Sequence, residues 1–309
     1  FRHFAAPRSE WRPIWRSWSA GLFIMAAKMK LGISMWSYVQ AWKEGRMDIA
    51  GFIREAARLG ADGVELLDFF YKDLDSDRES IQKTLAETGL PCGVFSVGNN
   101  FAKPTEAERN AELAKILFGV DEAVLYGAKV VRVFAGDVSP GIEFEQAREW
   151  IVEGLAHASK FAANKGVRLA LETHGRLAGR SDQVRGIIDD VRRSAGNDAL
   201  GANPDTGNFL LVGQRSDEAI RDVAGYATMV HFKDFRPAAE GEGRYEALDG
   251  TRFVGTAIGE GDVALAACVE ALEEARFDGW LNIEYEGHED PLEGVRRSVE
   301  NTRAILKEV

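Results

Sequence analysis

The sequence is poor in the features that most quickly assign a protein. Of its 309 residues only two are cysteine, Cys92 and Cys268. Two isolated thiols, one in a strand-like run and one in a helix-like run, give neither a disulfide framework nor a thiolate metal site. They suit a reducing cytosol, so a cytoplasmic location is expected. Long apolar runs are missing too: the nearest candidate, "AGLFIMAA" at 20–27, falls well short of the ~20 residues that a membrane span requires. Positive charge is scarce, with 38 Lys and Arg against 49 Asp and Glu, a net −11. Residues 1–28 run the other way at +4 (Arg2, Arg8, Arg12, Arg16 and Lys28 against Glu10), which leaves −15 for the remainder. An acidic body repels phosphate backbones, so nucleic acid is not an expected partner. No G-x-G-x-x-G follows a strand to open a helix, which weakens a nucleotide-binding sheet.

What is present is one alternating unit. Short apolar runs recur at 30–35 "KLGISM", 63–67 "GVELL", 92–97 "CGVFSV", 129–134 "KVVRVF", 167–172 "VRLALE", 199–204 "ALGANP", 227–232 "ATMVHF" and 280–285 "WLNIEY". Between them lie amphipathic helical patterns such as 48–60, 110–128 and 145–166, several ending in Gly where a left-handed cap costs least. Near-continuous apolar strands fit a parallel sheet covered on its outside. Eight such units in 29–309 predict one (β/α)8 TIM barrel, ahead of an open doubly wound sheet. The Trp- and Arg-rich leader, residues 1–28, is read as a non-native or upstream-translated extension. One connection is oversized: 233–260, rich in Gly and charge, is expected to be a functional lid.

A barrel of this kind does its chemistry where strands end. Strand five ends at Glu172, Asp205 follows strand six, His231 with Lys233 and Asp234 ends strand seven, and Glu284 with Glu286 ends strand eight. Four consecutive strands thus deliver Glu172, Asp205, His231 and Glu284 to one quadrant of one rim. Any one of these alone reads as a cap, an ion-pair partner or a core histidine. Together, three carboxylates and one imidazole form a set that suits a hard divalent cation. Mn²⁺ is favoured, with Mg²⁺ or Co²⁺ possible and Zn²⁺ less suited because thiolates are missing and only one His is offered.

The blocks "GADGVELL" (60–67), "LALETHG" (169–175), "NPDTGNF" (203–209), "VHFKD" (230–234), "GEGDV" (259–263) and "DGWLNIEYEG" (278–287) resemble, in order, those of the xylose-isomerase-like sugar phosphate isomerase and epimerase superfamily. The resemblance implies a barrel that holds one divalent metal with Glu172, Asp205, His231 and Glu284. It also implies that Glu172 and Glu284 serve as an acid–base pair on a ketose or keto-sugar. One departure is Asn208, where ketose 3-epimerases carry a His three residues past the ligand Asp; Asn donates a hydrogen bond but does not shuttle protons. With His174 two residues past Glu172, this keeps open a lyase that eliminates from a keto-sugar, keto-glycoside or keto-inositol. A non-catalytic sugar-binding barrel is the third reading.

Further substrate-binding candidates are His174, Asn208, Lys233, Arg132, Glu65 and Trp36. Arg132 alternates with Val131 and Val133 and so points inward, toward substrate or as partner to Glu65 or Glu172. Lys233 would neutralise an anion or pair with Asp234 or another rim acid. Glu65 would meet a hydroxyl or pair with Arg132, and Trp36 and Phe70 would wall a sugar ring. His288 and His157 are expected at the surface. The expected partner is a small carbohydrate, and homo-oligomerisation through the rim loops is left open.

Overall fold

The computed structural model describes residues 29–138 and 140–309, so the leader at 1–28 lies outside the described residues. All eight predicted strands form. In chain order they begin with β1 (Lys30–Ser34), β2 (Gly63–Leu67), β3 (Cys92–Ser96), β4 (Val130–Val133), β5 (Arg168–Glu172), β6 (Leu200–Asn203) and β7 (Met229–Phe232). Three short strands follow, β8 (Asp234–Pro237), β9 (Tyr245–Glu246) and β10 (Arg252–Thr256), before β11 (Trp280–Ile283). The barrel strands pair in parallel in the order β6-β5-β4-β3-β2-β1-β11-β7. Between β6 and β7 the ladder thins to isolated bridges, Ala202 with Ala227 and Asp205 with His231. Backbone bonds cross this seam from Thr228 N to Ala202 O (2.8 Å) and from Thr206 N to His231 O (3.1 Å), so the barrel is nearly closed.

Helices form where the sequence changes from period two to the helical repeat. Ile49–Arg58 starts under an Asp48 cap to Gly51 N, and Glu106–Tyr126 starts under a capping box between Thr105 and Glu108. Glycines at 60, 89, 127 and 166 take φ between 67° and 78°, which ends the helices before them. The apolar faces of the helices and the outward faces of the strands make the main core.

Inside the barrel the alternation of each strand sorts residues into layers. The lower layer is apolar: Val94, Val130, Ala170 and Met229 pack with Trp280. The indole fits because glycine faces it, since a Cβ on Gly93 would come within 2.3 Å of the ring and one on Gly63 within 2.5 Å. Two residues further along the same strands the layer turns polar, with Glu65, Ser96, Arg132, Glu172, His231 and Asn282 all buried. The chain therefore seals the barrel floor with apolar side chains and reserves the upper interior for charge.

The 233–260 connection is not an irregular loop. Its strands form an antiparallel sheet in the order β8-β10-β9, joined to β7 through the single residue Lys233. Asp234 anchors its return: Oδ2 accepts from Gly259 N and Gly261 N (both 2.9 Å) and Oδ1 from Val263 N (3.2 Å). Among the described residues no helix is long and apolar enough to cross a membrane.

Candidate metal centre

The four rim residues converge. One ligand atom from each of Glu172, Asp205, His231 and Glu284 lies within 4.8 Å of the others, and all four residues are buried. The seam between β6 and β7 contributes directly, because Asp205 and His231 face each other across one of its isolated bridges.

Each of the first three is oriented from behind, as metal ligands usually are. His231 Nε2 lies 3.0 Å from both carboxylate oxygens of Glu65, so this nitrogen donates to Glu65 and Nδ1 is turned toward the cluster. Nδ1 is buried without a hydrogen bond, 3.3 Å from Glu172 Oε2 and 3.6 Å from Glu284 Oε2. Asp205 Oδ1 accepts from Gly207 N (2.8 Å) and Asn208 N (2.9 Å), which aims Oδ2 inward. Oδ2 has no hydrogen bond of good geometry, although Lys233 Nζ sits 2.9 Å away. Glu172 Oε2 is held by Arg132 Nε at 3.1 Å and, more loosely, by Asn203 Nδ2 at 3.4 Å. Two buried, inward-facing ligand atoms without hydrogen bonds, beside two further carboxylates, fit a divalent cation.

The site's own cations balance part of this charge. Lys233 Nζ bridges Glu284 (2.6 Å), Asp205 and Glu286 (both 2.9 Å), and it does not pair with Asp234. Burial lowers the pKa of His231, but Glu284, Glu65 and Glu172 outweigh it and hold the imidazole well above its ordinary value. The two glutamates are driven apart. Burial, reinforced by Glu172 and Glu286, pushes Glu284 up to about 7 against the pull of His231 and Lys233. Glu172 is also opposed by burial, yet His231 and Arg132 hold it well below the usual carboxylate range.

A cavity of about 450 Å³ opens above the cluster, and Glu172 and Glu284 line it. Of the other sequence candidates, Trp36, Arg132, His174, Asn208 and Lys233 line it as well. Trp36 Nε1 donates to Glu286 Oε1 at 2.8 Å. Arg132 places its guanidinium 4.1 Å from the Phe134 ring centre while Nη1 donates to Val97 O. His174 is exposed at the mouth with its ring 4.9 Å from Phe134. Asn208 Nδ2 is committed to Thr173 O at 3.0 Å.

Glu65 does not line the cavity. It lies beneath the cluster, accepting from His231, Ser96 (2.6 Å) and Asn282 (2.8 Å), because β2 faces β7 and β11 across the barrel interior. Phe70 is buried, and its neighbour Phe69 reaches the cavity instead. The turn Asp68–Phe70 is a 3-10 helix in which Phe70 is buried and Phe69 is left at the cavity. His157 and His288 are exposed as expected. Sequence reasoning missed the site role of Glu286, although its place two residues past Glu284 on the same side was a signal. It also missed Tyr245, which the added sheet brings to the cavity wall.

A parallel barrel with a Glu–Asp–His–Glu cluster at its C-terminal rim defines a class of enzyme scaffold with a potential metal centre. A profile of the xylose isomerase-like TIM barrel family matches residues 53–305, and the chain belongs to that family. An inosose dehydratase of Clostridium botulinum (strain Alaska E43 / Type E3) is 27% identical over 149 residues, 46% of this chain and 48% of the relative. The chain thus spans about half the length of the curated relatives it matches. A xylose isomerase-like TIM barrel protein from Mycobacterium smegmatis, solved with magnesium, superposes with a TM-score of 0.71 at 19% identity, covering 92% of this chain and 98% of that one. The 3-keto-D-glucoside 4-epimerase of E. coli gives 0.69 at 19% identity, covering 90% and 100%. At such identities the structural likeness speaks for the fold. The proteins the chain resembles include epimerases and dehydratases.

Proposed function

We propose that this protein is a divalent-metal-dependent isomerase or epimerase of a ketose or keto-sugar that moves a proton on the carbon beside the carbonyl. The observation that carries this reading is the convergence of Glu172 and Glu284, from β5 and the end of β11, on one cluster that lines one cavity. Glu172, Asp205, His231 and Glu284 would hold the ion, with Mn²⁺ favoured by the oxygen-rich set. A bound divalent ion supplies Lewis-acid charge that makes the neighbouring C–H more acidic. Glu284 is the base: it lines the cavity at the end of β11, and in the metal-free site burial raises its pKa, which makes its carboxylate a stronger proton acceptor. Glu172 is assigned the proton return that completes an inversion or shift, for which it must first take up a proton against the pull of His231 and Arg132. Lys233 and Trp36 hold Glu286 and define the cavity wall.

A second reading, β-elimination, is favoured by a specific contact. Arg132 pins Glu172 as a carboxylate at 3.1 Å, and the Asn208 side chain is tied to Thr173 O, so proton return from that side is poorly served. Glu284 would then take the α-proton, the C–O bond at the β carbon would break, and Glu284 would hand that proton to the departing oxygen, which leaves as water or an alcohol. The match to inosose dehydratase supports the same alternative. Incubation with Mn²⁺ and keto-sugars in deuterium oxide tests both readings. Deuterium retained in an isomer or epimer supports the first, and an unsaturated ketone supports the second. Neither deuterium nor product across ketoses, keto-glycosides and keto-inositols rules out both.

A further inference from the structure

Building on the keto-sugar reading, we propose that the substrate carries an apolar, ring-sized substituent, so that it is a keto-glycoside with an aryl aglycone. Phe69 and Leu248 are the residues that select it. The charged side chains that a polyhydroxylated ring would meet, Glu172, Glu284, Lys233 and Glu286, sit at the inner end of the cavity among buried neighbours. The cavity continues well beyond them, and its 450 Å³ lies in the ~300–1,000 Å³ range that encloses ligands larger than one sugar ring.

The outer wall carries exposed polar side chains, His174, Arg176, Asp137 and Glu246, and between them two large apolar ones for which a free sugar has only hydroxyls to offer. Phe69 is 47% exposed and Leu248 is 57% exposed, the highest value for a large hydrophobic among the described residues, and both line this cavity. They arrive from separate sectors of the rim, Phe69 from the turn after β2 and Leu248 from the β8-β10-β9 insertion.

The Phe69 ring and the Leu248 backbone are held in place before any ligand arrives. The Phe69 ring packs edge-on or tilted against Trp36 and Trp42, each at 5.4 Å, and against Phe70 at 5.2 Å. Leu248 N donates to Leu211 O at 2.9 Å, which fastens the insertion to the barrel beside another cavity-lining leucine. Apolar side chains kept in water gain by covering with apolar surface, at about 25 cal/mol per Å² buried. On Phe69 and Leu248 themselves a hydroxyl gains nothing, whereas an aromatic aglycone would cover both.

The test compares 4-nitrophenyl and methyl 3-keto-β-D-glucopyranoside on the Mn²⁺-supplied protein, measuring the Kd of each by calorimetry and following α-proton exchange in deuterium oxide. The aryl probe is expected to bind about tenfold tighter or more. Phe69→Ser and Leu248→Ser should each bring the ratio of the two dissociation constants toward one. Equal affinities in the wild type, or variants that weaken both probes by the same factor, overturn the proposal. Exchange in the methyl probe without any aryl preference overturns it while the keto-sugar reading stands. Binding of neither probe with no exchange removes both. Sedimentation closes the last route: a changed oligomeric state in Leu248→Ser with the preference intact makes the patch a subunit interface and refutes the aglycone site.

Discussion

Replacing Glu65 by Gln should weaken divalent-ion binding by about 10–100-fold, or ~1.4–2.8 kcal/mol, with the fold retained. Glu65 touches neither the cavity nor the cluster's centre, yet it fixes the ring that does. Both of its oxygens lie 3.0 Å from His231 Nε2, and the same carboxylate accepts from Ser96 Oγ and Asn282 Nδ2. Three donors into one carboxylate keep Nε2–H on Glu65 and leave Nδ1 facing the other ligands, where its proton gives way to a bound cation. Gln keeps the volume but turns an NH2 group toward at least one of those donors, so the ring loses both its charged acceptor and its fixed tautomer. Ala is the wrong probe, because it would strand three buried donors at about 1–3 kcal/mol each and endanger folding. The assay is calorimetric titration of Mn²⁺ into the metal-stripped protein, with thermal unfolding as the folding control. Wild-type affinity in a folded Glu65→Gln variant would refute the claim that His231 coordinates through Nδ1 with Glu65 behind it.

Other outcomes follow from the same geometry. Glu284→Gln should abolish turnover while retaining measurable metal binding through the remaining ligands, which stopped-flow or product assays beside metal analysis would check; full activity would remove Glu284 from the base role. The Tm gain on adding Mn²⁺ should grow between pH 5 and pH 7.5. The folded pKa of Glu284 is raised from 4.5 to about 7, so its contribution to metal-free stability is complete below 4.5 and is lost as pH rises through 7. His231, raised well above its ordinary 6.5, loses its contribution in the same direction as pH rises through its folded pKa, and a bound cation replaces both. A Tm gain that does not vary with pH would contradict this. Asp234→Ala should cost about 2–3 kcal/mol in urea unfolding, because it strands the N–H groups of Gly259, Gly261 and Val263 at the root of the added sheet. Gly93→Ala should destabilise by about 1–3 kcal/mol by driving a methyl into the Trp280 ring, and an unchanged melting curve would show that the barrel floor is looser than described.

The parts of this protein that were legible in its sequence are those written in local period. The barrel strands are near-continuous apolar runs, several with polar residues at or just past their ends, and because side chains along a strand alternate with period two, Ala170 and Glu172 must share a side. That is why the four candidate ligands could be named from spacing. What spacing does not carry is who stands opposite whom. Glu65 reads equally well as a substrate contact or as a partner for Arg132, and only barrel closure brings it under His231. Arg132 was legible as inward-pointing, and its pairing with Glu172 was one of the readings left open; the fold selects it. The 233–260 sheet was hidden because β8 follows β7 after one residue and its pairing with β10 is stabilised by backbone bonds and by Asp234, not by an apolar run. Phe69 and Phe70 exchanged places because a 3-10 turn carries no alternation.

The central claim is that β5, the β6–β7 seam and the end of β11 assemble one metal centre with a single histidine ligand. Electron spin echo spectroscopy of the Mn²⁺-loaded protein tests it most directly. One Mn²⁺ per chain is predicted, with coupling to one imidazole nitrogen that is lost in His231→Gln. Substoichiometric Mn²⁺, or nitrogen coupling that persists without His231, would contradict it.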